Sequence, residues 1–500
     1  MAYLLLIVAT LILTWLLKLL LGGGGKKYSY PPGPVGLPFF GNIFQLGSGA
    51  PFLKHKEFAE IYGDIHTVAM FGRKTVVLSS MNAVTDCNFD HSDDFNHRPV
   101  WLESLTNIAP GIAFRGADRY KENRRFVLRN LRDHGMGKSE IEPKILDEVD
   151  SVLSLMENAK ERTIEPLEHM ETFSANVISQ LCFTKSWPHH GEESKLLKSN
   201  LKTINECTEP LMLSDFLPFL KRFPFMRKTY EEFTRSVDFI QAIGRKALID
   251  RQQNTHVNNK EETGDSYESV DLVDDVLMAT KNSPSEVEIH NFMQISHDLI
   301  EAGTHTSSTT ITFAIIQLIN NPGLQEELFT EIENYLGGRE TPAMGDMKHM
   351  PMIEAFIQEI LRMYPIVPLI FHATYQDSYL RQFLIPRNTM IMINAHHINH
   401  DERQFPHPQE FNPRRWIDGQ GNFKSDKKDR IMTFGAGRRE CLGKSLARME
   451  IFLFLVKLIR KYKLGVPDGN KLPSCTPVVT RATITADSFL LKVKQRESKK

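Results

Sequence analysis

The sequence predicts a mainly helical protein with small β-sheets, of the α+β class. Three observations carry this. Most long segments place apolar residues at helical spacing, and strand-like runs are short, as at His66 to Ser79 and Met390 to Asn394. One helix is also bounded by signals at both ends. Ser283-Pro284-Ser285-Glu286 supplies an N-cap, a proline at the first helical position and a capping-box glutamate, and Asn320-Asn321-Pro322 stops the run. The interval of about 36 residues would span on the order of 54 Å, enough to cross a whole domain.

The elements around it follow in order. A second helix is predicted from Asn321 to Leu336, ended by Gly337-Gly338, and a third from Pro351 to Met363, ended by Tyr364-Pro365. An amphipathic segment runs from Lys444 to Lys463. The polar stretch from Gln252 to Ser269 is predicted to be a solvated loop rather than a domain boundary. No internal repeat is visible. A chain of 500 residues allows one large catalytic unit or several domains.

Charge is nearly balanced, with 60 Lys and Arg against 61 Asp and Glu. That balance argues against a nucleic-acid partner and leaves any basic surface local. Five scattered cysteines (Cys87, Cys182, Cys207, Cys441, Cys475) form no CxxC pair and no metal-ligand spacing, which argues against a disulfide framework and for a reducing compartment.

Tyr3 to Leu21 is almost wholly apolar, broken only by Lys18. At about 1.5 Å per residue it matches the roughly 30 Å hydrocarbon thickness of a bilayer. An uncleaved anchor over residues 1–21 is preferred to a signal peptide, because the run is long and lacks a clear small-residue cleavage site. Lys26 and Lys27 follow it, so the positive-inside rule leaves the rest in the cytoplasm. Residues 22–38 then form a glycine hinge (Gly22 to Gly25) and a stiff stretch at Pro31-Pro32-Gly33-Pro34.

The chemistry concentrates in Phe434-Gly435-Ala436-Gly437-Arg438-Arg439-Glu440-Cys441-Leu442-Gly443, a loop that feeds the segment beginning at Lys444. Backbone N–H groups near a helix start stabilise an anion, which places Cys441 to be a thiolate, and Gly435 and Gly437 permit positive φ and close approach of a flat ligand. A buried structural cysteine is the alternative on composition alone. The central helix carries His297, Asp298, Glu301, Thr304, His305 and Thr306 near its middle. Glu359 and Arg362 stand three apart on the third helix, where a plain surface pair would be ordinary.

The loop matches in full the pattern FxxGxRxCxG and so resembles the haem-binding signature of the cytochrome P-450 family, specifically its microsomal, second-family-like animal clan. The likeness runs from Pro31 to the C-terminus. It implies a triangular prism of helices with small sheets over residues 39–500, and haem b as cofactor. Cys441 would be the axial iron ligand, Arg439 a propionate partner and Phe434 a shield for the sulfur, with Gly435, Gly437 and Gly443 shaping the loop. A thiolate ligand favours O–O cleavage. EILRMYP resembles the family's ExxR motif, giving Glu359 and Arg362 a structural network with Arg415 of FNPRRW, while Arg414 stands where the family usually has an acid.

Tyr120-Lys121-Glu122-Asn123-Arg124 resembles a WxxxR element with Tyr120 in place of tryptophan, and with Arg124 it would reach a propionate. His372 would be another propionate donor. In Ala302-Gly303-Thr304-His305-Thr306, the small Ala302 leaves room above the cofactor and Thr306 matches the threonine that relays protons to dioxygen. His305 replaces the usual acid, and is either a proton relay or a solvent-facing residue. Glu301, one helical turn from His297, would contact a hydroxyl or amine of substrate if it faces the pocket.

The resemblance implies transfer of one oxygen atom from O2 to a lipophilic substrate (steroid, fatty acid, terpenoid or xenobiotic), with electrons from NADPH through an NADPH–cytochrome reductase. Cytochrome b5, membrane lipid and an endoplasmic-reticulum location go with it. Substrate would face Glu103 to Phe114, Cys207 to Leu217, residues 297–306, Leu369 to Phe371 and Pro477 to Val479. Arg119, Lys121, Arg125, Arg129, Arg132, Lys427, Lys428, Arg438 and Lys444 would form a basic reductase face. A haem-thiolate isomerase or dehydratase needing no reductase is one rival, and a non-catalytic haem protein binding gas or lipid is the other.

Overall fold

The computed structural model describes residue 10 and residues 29–496, apart from 48, 88–91, 107–110, 115, 259–268 and 481. Apart from residue 10, the anchor expected at residues 1–21 lies outside the described residues, among which no helix is long and apolar enough to cross a membrane.

Twelve helices are used below, in chain order: α1 (Pro51–Tyr62), α2 (Ala117–Asp133), α3 (Glu142–Asn158), α4 (Pro166–Phe183), α5 (Glu192–Phe216), α6 (Pro224–Asn258), α7 (Leu272–Ala279), α8 (Glu286–Asn320), α9 (Pro322–Leu336), α10 (Pro351–Met363), α11 (Ala395–Asn399) and α12 (Lys444–Lys461). The architecture is mainly helical with small sheets, as the pattern of apolar spacing predicts. The strand-like run at 66–79 is two strands, β1 (Ile65–Met70) and β2 (Arg73–Leu78), turned at Phe71-Gly72. With β3 (Leu369–Ala373) and β4 (Met390–Asn394) they form one sheet of order β1-β2-β4-β3, in which only β2 and β4 run parallel, Thr75 opposite Met390. A hairpin of β5 (Val478–Thr480) and β6 (Thr483–Thr485) stands apart near the C-terminus.

The long helix α8 begins two residues later than the sequence suggests. Ser285, not Ser283, is the N-cap: its Oγ accepts from the Glu288 N–H at 3.3 Å and Glu288 accepts from the Ser285 N–H at 2.7 Å. Two serines straddle Pro284, each with a glutamate three residues on, and the structure forms the box at the second pair, Ser285 and Glu288. Helix α6 continues to Asn258, so the loop expected from Gln252 starts later. The proline stretch lies on the sheet, where the Pro32 carbonyl accepts from the Thr67 N–H at 2.9 Å.

Helix α8 threads the core. Its second half, Ser307 to Ile319, is buried on every side, packed against α4, α10 and α12. A helix buried all round, here with its serine and threonine hydroxyls turned back to helix carbonyls at Ser308, Thr310 and Thr312, is held by burial rather than by amphipathic contrast. Its middle turns differ, and they position the site.

Candidate active site

The loop from Phe434 to Gly443 is hung on α10 and α11 before it reaches α12. Thr433 donates from Oγ1 to the Leu361 carbonyl at 2.5 Å and accepts from Asn399 at 2.9 Å, while the Met432 N–H donates to Asn399 at 2.6 Å. Gly435 and Gly437 both take positive φ, 70° and 72°, as the sequence requires of them. The Cys441 N–H donates to the Phe434 carbonyl at 2.8 Å, closing the loop on itself.

Cys441 therefore sits three residues before α12, with Gly443 as N-cap. Burial pushes its thiol up, against the Gly443 N–H and the positive charges of Arg124 and Lys444, which favour the thiolate. Yet its side chain is exposed. A group that is both desolvated and accessible faces an internal space. That space is a cavity of about 320 Å³ between the loop and α8, lined on one side by Phe434, Gly435, Cys441 and Gly443 and on the other by Ala302, Gly303 and Thr306. Ala302 is exposed in the middle of a helix whose flanking turns are buried.

Three cationic or polar side chains gather at one margin of this cavity. Arg439 donates to the carbonyls of Asn96 at 2.9 Å and Ile112 at 3.3 Å, and its guanidinium stacks 3.3 Å above the Tyr120 ring. Burial, then the neighbouring Arg98, lowers its pKa to about 9. Arg98 donates to the carbonyls of Ala113, at 2.8 Å, and Phe371, and burial lowers it to about 10. His372 is 2 % exposed, its Nδ1 has no hydrogen-bond partner among the described residues, and burial followed by Arg98 and Arg439 drives its pKa well below the usual value. Two buried guanidiniums that repel each other, beside an unpartnered imidazole nitrogen, match a ligand that brings carboxylates. Haem, flat and carrying two propionates, fits both the gap and this margin.

Tyr120 and Arg124 serve the loop from the other side. The Tyr120 hydroxyl donates to the Arg438 carbonyl at 2.7 Å and Arg124 to the Glu440 carbonyl at 2.7 Å. The sequence reading aimed both at a propionate; here both brace the loop's backbone.

Glu359 and Arg362 are fully buried and joined by two hydrogen bonds of 2.8 Å. Arg415 adds a third contact at 3.0 Å, as the motif implies, and the Trp416 indole and the Asn412 N–H complete the set at 2.8 and 2.9 Å. Arg362 also donates to the carbonyls of Asn399 and Pro408. Arg414 pairs with Glu327 at 2.7 Å on the surface and takes no part.

On α8, the Thr306 hydroxyl donates to the Ala302 carbonyl at 2.7 Å. His305 points elsewhere, with Nδ1 4.0 Å from Glu171 on α4 and Nε2 3.5 Å from Thr483 on β6. Glu301 lies 3.7 Å from His297 Nε2. Asp298 accepts from the backbone N–H groups of Ile112 and Ala113, the latter at 2.7 Å, clamping residues 111–113 to α8. A Cβ on Gly111 would meet Asp298 Oδ2 at 2.5 Å, so only glycine admits this approach.

Two residues escaped the sequence reading, Arg98 and Glu450, and a third, Asp298, was seen in the central-helix cluster without its partners. Arg98 and Asp298 act across long sequence separations. Glu450 on α12 lines the cavity, has an orphaned Oε2, and burial, against a hydrogen bond from Ser307, raises its pKa to about 8. Its signal was present, an acid on the apolar face of an amphipathic helix. Of the expected basic face, Lys121 and Arg438 are both paired with Asp93 and Lys444 with Glu440. The side chains of Arg119, Lys427 and Lys428 lie outside the described residues.

The cytochrome P450 family model matches residues 31–491. The chain is 32% identical over 441 residues to "Cytochrome P450 2C5" of Oryctolagus cuniculus, covering 87% of this chain and 88% of that protein. It is 30% identical over 465 residues to "Cytochrome P450 2C8" of Homo sapiens, covering 91% of each. With "Cytochrome P450 2C25" of Mesocricetus auratus the identity is 29% over 472 residues, 93% and 94% of the two chains. A cavity with a thiol on one wall and a small-residue helix turn on the other thus coincides with a family match over nearly the whole length: the chain belongs to the cytochrome P450 family and is a haem-thiolate monooxygenase that draws electrons from NADPH through a reductase.

Proposed function

We propose that Cys441 would ligate the iron of a haem b received between the 434–443 loop and Ala302, and that the enzyme oxidises lipophilic molecules drawn from the endoplasmic-reticulum membrane, to which residues 1–21 anchor it with the catalytic domain in the cytoplasm. The observation that carries the reading is the opposition of Cys441 and Ala302, two accessible side chains facing one internal cavity. Arg439, Arg98 and His372 would hold the propionates, and Tyr120 and Arg124 hold the loop that carries Arg439. Phe434, Gly435, Gly437 and Gly443 shape the wall around the sulfur. Glu359, Arg362 and Arg415 form the support behind it.

When bound, the haem supplies dioxygen activation, with the thiolate pushing electron density toward O–O cleavage. The protein's part is proton supply and positioning. Thr306 Oγ1 holds a hydroxyl proton at the cavity wall, at present shared with the Ala302 carbonyl. Its neighbour His305 is held toward Glu171 and Thr483, so a relay through His305 would require its imidazole to turn toward the cavity.

The membrane reading rests on a rim of exposed phenylalanines. Exposed Phe39, Phe40 and Phe44 pack around the half-buried Phe71, which meets Phe216, and a second exposed group, Phe219, Phe223 and Phe225, lies shortly after Phe216 in the chain. A contiguous exposed apolar surface of this kind marks a lipid or partner contact. Behind it opens a second cavity of about 580 Å³, lined by Met70, Met212, Phe216, Leu369, Phe371 and Met392 among others, which leads from the rim toward β3. Cytochrome b5 is a second electron donor in this reading, docking on the basic face that includes Arg438 and Lys444.

The test is spectroscopic. Cys441→His should abolish the thiolate-type carbon monoxide spectrum; an unchanged spectrum overturns the assignment. Substrate-dependent NADPH consumption with purified reductase then distinguishes the monooxygenase from an isomerase or a gas-binding protein.

A further inference from the structure

Five imidazoles meet where α1, β1 and α11 pack together. His55 on α1 lies 3.4 Å, nitrogen to nitrogen, from His66 on β1, and His66 in turn faces His397 on α11. His396 and His400 stack with ring centres 4.1 Å apart, and His396 also packs on Phe52 of α1. Four of the five are buried and His396 is half-buried. Among the described residues, Nδ1 of His396 and Nδ1 of His397 have no hydrogen-bond partner. The oxidation chemistry uses none of these rings.

Their surroundings suit neutral imidazole and oppose the charged form. The carboxylates that face the cluster are already committed. Asp64 and Asp401 both hold Arg403, at 3.0 and 2.8 Å, and Glu359 is taken by Arg362 and Arg415. The other charges facing it are the cations Lys56, Arg362 and Arg403. An imidazolium formed here would meet like charge and no free acid. Burial, aided by His66, lowers His55 to about 3. Burial again, opposed by the Gly63 backbone at His66 and aided by Arg362 at His400, lowers those two to about 4, and His396 and His397 move the same way. The ordinary value is 6.5, so the stabilisation is complete above pH 6.5 and is lost as pH falls toward 4.

Helix α11 joins this cluster to the active site. At its C-terminal end the Asn399 side chain accepts from the Met432 N–H and donates to Thr433, the two residues that lead into the cysteine loop. At its N-terminal end Asn394 donates to the Phe52 carbonyl at 2.9 Å, tying it to α1. His55 also lines the second cavity, which gives protons a route to the rings.

We propose that the histidine cluster is an acid-sensitive latch on the cysteine loop: protonation drives α11 away from α1 and β1, withdraws Asn399 from Met432 and Thr433, and lets the loop open and release the haem. The release step rests on the haem reading above. The latch makes cofactor retention conditional on a near-neutral surrounding, through residues that touch neither cofactor nor substrate.

The experiment is hydrogen exchange on the full-length holoenzyme between pH 7 and pH 5, with protection corrected for the intrinsic pH dependence of exchange. Protection at residues 394–400 and 432–435 should fall at least about a hundredfold over that range, since two histidines released together contribute about tenfold each per pH unit below 6.5. Residues 310–319 of α8 should keep theirs, and the haem absorption band should fade over the same range as 432–435 opens. The double variant His55→Leu, His66→Val should reduce the fall at least about tenfold. His396→Phe, which keeps a ring against Phe52 and His400, should also reduce it, and provides the test if the double variant does not fold. A fall of tenfold or less in the unsubstituted enzyme, a parallel loss at 310–319, or a fall unchanged in the variants overturns the latch. A haem band that outlasts the opening of 432–435 overturns the release of haem.

Discussion

Glu359 and Glu301 are both carboxylates set deep in the molecule, one behind the cysteine loop and one on the central helix. Glu359 accepts five hydrogen bonds, from Arg362, Arg415, Trp416 and the Asn412 N–H, and although burial pulls its pKa up, these partners hold it below the usual range. Glu301 accepts none from a described side chain, and its pKa is raised. The difference separates two uses of buried charge. A saturated carboxylate is scaffold, because its lone pairs are committed to fixing its neighbours; an unsaturated one leaves its lone pairs uncommitted.

That contrast can be broken most severely at the saturated end. Glu359→Gln leaves Arg362, itself fully buried, without its counter-charge, and removing one partner of a buried pair typically costs about 3–5 kcal/mol. The expected outcome is near-complete loss of haem-loaded protein, read as the carbon monoxide difference spectrum per unit of protein expressed. A holoprotein yield above half of wild type would show the network to be dispensable.

Glu450 sharpens the contrast, since it is buried, lines the cavity and carries no counter-cation. Its folded pKa of about 8 lies above the ordinary carboxyl value of 4.5. The folded state therefore holds a proton that the unfolded state releases, so its contribution is complete below pH 4.5 and is lost as pH rises toward 8. Glu450→Gln should match wild type near pH 5 and exceed it at pH 8 by on the order of 3 kcal/mol, seen as a pH-dependent gap in thermal midpoint. A constant gap across that range would contradict the shift.

Asp298 is an intermediate case, a carboxylate of the central helix that is committed to backbone like Glu359. Asp298→Ala frees two N–H groups of the 111–113 segment, for a loss of about 2 kcal/mol. Limited proteolysis should then cut near residue 112 faster than in wild type, with little change elsewhere. The smallest effect belongs to Arg414, whose pair with Glu327 is largely exposed. Arg414→Ala should alter unfolding by less than about 1 kcal/mol, since exposed pairs contribute little.

The sequence was most informative where function is written in contiguous residues. The 434–443 loop, its two positive-φ glycines and the Glu359–Arg362 pair could all be located before any coordinates, because spacing along one loop or one helix turn fixes the geometry. Contacts between distant segments could not. Arg98 meets Phe371, and Asp298 meets Ala113, and nothing local in either stretch announces the other. Tyr120 and Arg124 could be picked out by their spacing, but not the carbonyls of Arg438 and Glu440 that accept from them, because those carry no side-chain signature. The start of α8 slipped by two residues for a local reason, the choice between two serines on either side of Pro284.

The parallel pairing of β2 with β4 bears on how the chain is made. Thr75 finds its partner at Met390, some three hundred residues later, and the sheet's parallel step cannot close before then. At translation rates of about 5–20 residues per second, β2 waits between roughly 15 s and a minute with Val76, Val77 and Leu78 lacking their neighbour. The cysteine loop emerges later still, so cofactor capture falls at the end of synthesis. A nascent chain in that interval offers an unpaired apolar strand edge, and its yield in cells should depend on chaperone supply and slower elongation more than on the stability of the finished enzyme.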